Sequence, residues 1–193
     1  MSFTLLGILQ SQAAGGAVGG GYDFLESITL SSSGSIDFTG LDSYSGYNHF
    51  QIRGTIRGPG GSITTSPALR VNNDSGNNYS WHYMRTGKFG GTTENTSGAA
   101  SSSSYVFLGT AYDGGATANL FSPIVIDIAD ALSNSKNKTL RYFSGFDERI
   151  IGATPPYARV HFGSAAWYNT NPVTTISILS AAAGSRFSLY GRA

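Results

Sequence analysis

From Tyr22 onward, apolar and polar side chains alternate with a period of two over much of the chain. HFQIRGTIR is the cleanest instance: Phe50, Ile52 and Ile56 project to one side, and Gln51, Arg53, Thr55 and Arg57 to the other. Successive residues of a strand point to opposite faces, so the pattern predicts a half-buried β-strand. ARVHF repeats it, with Val160 and Phe162 set against Arg159 and His161. The basic residues of both segments are expected on the solvent face. VTTISIL, SRFSLY, YDFLESITL, SIDFTGL, YSWHYM, SYVFLGTAY, FSPIVIDI and LRYFSGF read the same way, and PALRV is a shorter candidate. Between the runs lie GPGG at 58–61, NNDSGNN at 72–78, GG at 90–91, DGG at 113–115, TPP at 154–156 and NP at 171–172. Gly, Asn and Pro in such clusters punctuate strands with turns. About ten strands joined in this way predict an all-β, two-sheet antiparallel β-sandwich, jelly-roll-like in plan. IADALSNSKN is expected to form one short helical turn, and Ser97–Ser104 a flexible surface loop.

The front of the chain breaks the pattern. Phe3, Leu5, Leu6, Ile8 and Leu9 form an apolar cluster, Ala13–Gly21 contains only Ala, Gly and one Val, and no charge occurs before Asp23. This divides the chain into an N-terminal apolar arm and tether, 1–21, and a sandwich domain, 22–193. The opening has no positive region and is interrupted by Gly7 and Gln10, so it is not read as a signal peptide.

Composition narrows the functional classes. The length of 193 residues suits one domain with a sizeable core. Charged residues are 12% of the chain, about half the usual share of roughly 25%. Lys occurs only at positions 88, 136 and 138. Such a surface, rich in Gly and hydroxyl groups, suits close packing against other subunits. The net charge of +1 without a basic stripe argues against a nucleic-acid partner. No apolar run approaches the roughly 18 residues of a membrane-spanning helix, and there is no Cys for thiolate or disulfide chemistry.

No nucleophile elbow, phosphate-binding loop, dinucleotide fingerprint or paired-His metal motif is present. His49, His82 and His161 each fall inside a strand pattern and read as packing residues. Asp127 and Asp130 flank a strand end and are expected to cap the following turn. NNDSGNN lacks the acidic spacing of a calcium loop. The chain therefore reads as a non-enzyme with no metal and no cofactor. The aromatic residues allow two readings. Tyr79, Trp81 and Tyr83 share one strand face, and Trp167 with Tyr168 forms a second pair. These are either core residues or, where exposed, flat apolar faces for sugar rings; Trp81, Trp167 and Tyr168 are the candidate glycan contacts.

YNHFQIRGTIRG, YSWHYMRTG, SNSKNKTLRYFSG, SAAWYNTNPVTTISIL and the terminal GSRFSLYG, in this order, resemble a family of small structural or fibre-like virion proteins of tailed bacteriophages. The resemblance spans about Tyr22 to Gly191. It implies a protein made in the host cytoplasm and carried on the virion, as a capsid decoration or head-fibre component. The alternative is a tail-fibre or tail-tip domain that binds a host-surface glycan. It implies capsid or tail subunits as partners and a homo-oligomer, most often three-fold. In that setting Phe3, Leu5, Leu6, Ile8 and Leu9 form an assembly arm, buried in a groove of the shell or of a neighbouring copy. A nine-residue Gly-rich tether has a reach of roughly 15–18 Å. The competing reading has the arm complete the domain's own core or pair with its sheet edge.

Overall fold

The structure is a computed structural model and describes residues 21–89, 91–148 and 157–193. The assembly-arm residues Phe3, Leu5, Leu6, Ile8 and Leu9, and the TPP segment, lie outside the described residues. The strands are β1 (Asp23–Thr29), β2 (Gly34–Thr39), β3 (His49–Ile56), β4 (Thr64–Thr65), β5 (Ala68–Val71), β6 (Tyr79–Phe89) and β7 (Thr92–Ser103). They continue with β8 (Val106–Phe107), β9 (Ala111–Tyr112), β10 (Ser122–Ala129), β11 (Lys138–Glu148), β12 (Tyr157–Trp167), β13 (Thr175–Ala181) and β14 (Arg186–Arg192).

Eight strands form one antiparallel sheet in the order β1-β14-β3-β10-β11-β12-β6-β7. Four form a second, β2-β13-β5-β8, and β4 pairs with β9 in a small third ladder. The inner faces of the two larger sheets share one apolar cluster. Phe50, Ile52, Ile124, Ile126, Ile128, Leu140, Phe187 and Leu189 meet Ile36, Phe38, Leu69, Val71, Ile176 and Ile178 from the other sheet. This is the predicted β-sandwich, and burial of two apolar faces against each other is what holds it together.

Aromatic rings fill space left by cross-strand glycines. Tyr83 of β6 faces Gly98 of β7, where a Cβ would stand 2.7 Å from the ring. Tyr142 of β11 covers Gly163 of β12 in the same way.

Three local expectations are corrected. Ser97–Ser103 is part of β7, the edge of the eight-stranded sheet, because its backbone pairs with the long β6 strand despite its low-complexity sequence. Only Ser104 lies beyond that strand. IADALSNSKN forms no helix: Ile128 and Ala129 finish β10, and Asp130 at φ 49° turns the chain instead. Among the described residues the one helical turn is the 3-10 segment Leu41–Ser43. The faces of ARVHF are inverted: Arg159 and His161 are buried, while Val160 and Phe162 are exposed. Arg159 is held inside by Glu94, with Nε–Oε2 at 2.8 Å and Nη2–Oε1 at 2.9 Å, a bidentate pairing that offsets its desolvation. The other basic residues of the two segments are not buried in this way.

Candidate functional site

The outer face of the large sheet carries a row of exposed apolar side chains. Strand pairing aligns Val125, Phe143, Phe162 and Met84 on β10, β11, β12 and β6. Phe143 is 54% exposed, Phe162 50% and Met84 65%; Val160, one outward position along β12, is 44% exposed. The neighbouring outward row is polar: Gln51, Asp127, Arg141, Ser164 and His82 follow one another in register. Asp127 accepts from Gln51 Nε2 at 2.6 Å and lies 3.5 Å from Arg141 Nη2. Its carboxylate binds side chains across strands and does not cap a turn.

The inner face holds a second cluster where β6, β12 and β8 meet. Trp81 and Tyr83 stack with centroids 6.1 Å apart and planes 19° apart. Phe107 packs on both, at 5.3 and 5.0 Å. His161 lies 5.4 Å from Tyr83 and is fully buried. Neither of its ring nitrogens, nor Trp81 Nε1, has a hydrogen-bond partner among the described residues. Burial, with Arg85 and Arg159 nearby, pushes the His161 pKa down to about 4, against a smaller opposing effect of Glu94. The imidazole is therefore neutral near pH 7 and has no exposed surface with which to touch a substrate. Glu94 is held below the usual carboxylate range, first by its hydrogen bond from Arg159.

The three candidate glycan contacts do not converge. Trp167 is buried in the core, and its Nε1 donates to Asp74, so it offers no face to a sugar. Trp81 is half-buried within the inner cluster. Tyr168 is 56% exposed, and its hydroxyl lies 3.1 Å from that of Ser80, whose position on β6 points to the opposite face from Trp81. His49 accepts from the Asp130 backbone N–H through Nδ1, and His82 Nε2 is 3.1 Å from Ser164 Oγ. An open cleft of about 500 Å³ is lined by Asp42, Asn48, Asp130, Leu132 and Lys136, among others. Asp130 and Lys136 neutralise one another across 2.8 Å. Among the described residues no three His, Asp or Glu side chains gather to hold a metal ion.

The exposed row escaped the sequence reading, although a signal existed. In LRYFSGF, Leu140, Tyr142 and Phe146 occupy one parity, and Phe143 the other. A strand with large apolar residues on both faces is one that has something to cover on each side.

No protein-family model and no curated protein matches the chain. Among solved structures, the chain is similar to the carbohydrate recognition domain of Emp46p in its potassium-bound form. The identity is 11%, over 86% of this chain and 81% of that one, with a TM-score of 0.23. It is also similar to the CBM2 module of the evolved Dit of Lactobacillus casei BL23 phage J-1. There the identity is 12%, over 90% and 80% of the two chains, with a TM-score of 0.18. Similarity at this level assigns neither activity nor ligand.

Proposed function

We propose that this chain is a structural module displayed on a tailed-phage particle, as a capsid decoration or head-fibre component. The observation that carries this reading is the exposed row Phe143, Phe162 and Met84 with Val160 beside it. A contiguous apolar patch on a folded domain marks a contact surface. The low overall charge supports the same role, since few ions need be desolvated when such faces meet. The resemblance in sequence supplies the particle. Phe3, Leu5, Leu6, Ile8 and Leu9 attach the domain to the shell, and the domain holds and presents without turning over a substrate.

The glycan-binding reading, on a tail fibre or tail tip, is favoured by one observation, the exposed ring of Tyr168 beside Ser80. Electron microscopy of particles carrying a labelled copy separates the two. Label on the capsid, lost when residues 1–12 are deleted, is the expected result. Label on the tail tip, together with retention on a host-glycan array that Tyr168→Ala abolishes, would replace the first reading by the second.

A further inference from the structure

The apolar row does more than mark a contact: its arrangement suits a second copy of itself. On β11 the outward side chains run Arg141, Phe143, Gly145, Asp147, so that a cation and an anion lie at equal distances on either side of Ser144. Six residues of strand place the two charges about 20 Å apart. Pairing carries the same levels onto the next strands. Phe143 is level with Phe162 and Met84, and Gly145 with Val160 and Thr86. One level is bulky and the other is small.

We infer that this outer face is a self-complementary interface, formed by two copies packed sheet on sheet about a two-fold axis. The axis lies between the sheets, perpendicular to the strands, and passes over β11 at Ser144. Rotation about it sets Phe143 of one copy over Gly145 of the other, Phe162 over Val160, and Met84 over Thr86. Arg141 of each copy, whose Nη2 also lies 3.5 Å from Asp127 of its own chain, then meets Asp147 of the other. Face-to-face sheets pack about 10 Å apart with strands nearly aligned, a separation that side chains of these sizes span by interdigitation. A two-fold contact uses the same patch on both partners, which is why the large and small levels and the two charges must be matched within one face. Twofold charge complementarity selects a second copy over the other occupants open to this face, namely residues 1–12 of the same chain or a different virion protein. The inference does not depend on the virion reading.

The test is sedimentation equilibrium on the full-length protein. Arg141→Glu and Asp147→Arg are each expected to set like charges against one another and to weaken dimerisation about tenfold. The double variant R141E/D147R restores opposite charges in both pairs and is expected to recover the original affinity. Phe143→Ser with Phe162→Ser is expected to weaken association by roughly 30-fold or more. All four positions are exposed or at the rim, and thermal melting of each variant checks that the domain itself is intact. Four results would overturn the inference: a monomer at high concentration, a trimer indifferent to these changes, singly weakened variants that the double fails to rescue, or association that needs residues 1–12 and ignores the apolar row.

Discussion

The indole Nε1 of Trp167 donates to Oδ2 of Asp74 at 2.7 Å and so ties the end of β12 to the turn that precedes β6. The same carboxylate accepts from the Gly76 backbone N–H at 2.8 Å and from Asn78 Nδ2 at 2.9 Å. Burial alone would raise the Asp74 pKa. The donors Trp167, Asn78 and Gly76, helped by Arg70, outweigh it and hold the group below the ordinary Asp value. Asp74→Ala strands a buried indole N–H and is expected to cost about 2–3 kcal/mol in urea unfolding. With a depressed folded pKa, the charge-dependent part of this contribution is present above the unfolded value near pH 3.8 and is lost as pH falls through the lower folded one.

His161 gives a separate pH dependence at milder acidity. Its folded pKa of about 4 lies below the unfolded value of 6.5, so the unfolded chain binds the extra proton first. Stability is then full above pH 6.5 and declines as pH falls toward 4. The decline is expected to be about 1.5 kcal/mol between pH 6.5 and 5, where Asp and Glu side chains barely titrate. His161→Phe keeps a ring against Tyr83 and Phe107 and is expected to flatten that slope. Urea midpoints measured at half-unit pH intervals for both proteins check it, and an unchanged slope in the variant would locate the effect elsewhere.

Lys138 is fully buried, and its ammonium donates to three backbone carbonyls: Ser133 and Lys136 at 2.7 Å each and Thr170 at 3.2 Å. It fastens the turn after β10 to the segment after β12. Lys138→Met keeps the stem and leaves the carbonyls without that donor. The expected loss is about 2–3 kcal/mol, with increased amide exchange confined to 131–137 and 169–172. A variant as stable as the parent would show that water replaces the ammonium at no cost.

The period of two located most of the strands, since it states directly which side chains face the core. Phe50, Ile52 and Ile56 are buried as their alternation predicts. It could not decide ARVHF, where both parities can be buried. Which face goes in was settled by Glu94, 65 residues away in sequence, which gives Arg159 a partner inside. Nor could local composition predict β7. TTENTSGAASSS has little intrinsic strand preference, and long-range pairing with β6 imposes the extended form. The apolar row was hidden for a related reason: Phe143, Phe162 and Met84 come from three strands, and only sheet order brings them together.

Two tyrosines with similar burial are expected to respond oppositely to loss of the hydroxyl. The Tyr79 hydroxyl accepts from the Val71 N–H at 3.0 Å and lies within donating distance of the Val71 and Asp74 carbonyls, at 3.2 and 3.1 Å. Burial raises its pKa to about 12. Tyr79→Phe abandons these groups and is expected to cost about 1–2 kcal/mol. The Tyr142 hydroxyl is buried with no hydrogen-bond partner among the described residues, and burial, with Tyr83 nearby, raises its pKa further. Its ring already has a place, over Gly163 of the next strand. Tyr142→Phe keeps that packing and removes a desolvated polar group, so stability is expected to hold or to rise by up to about 1 kcal/mol. Chemical denaturation of the two variants side by side checks the difference in sign. A loss at Tyr142 as large as that at Tyr79 would mean that an ordered water satisfies the hydroxyl inside the core.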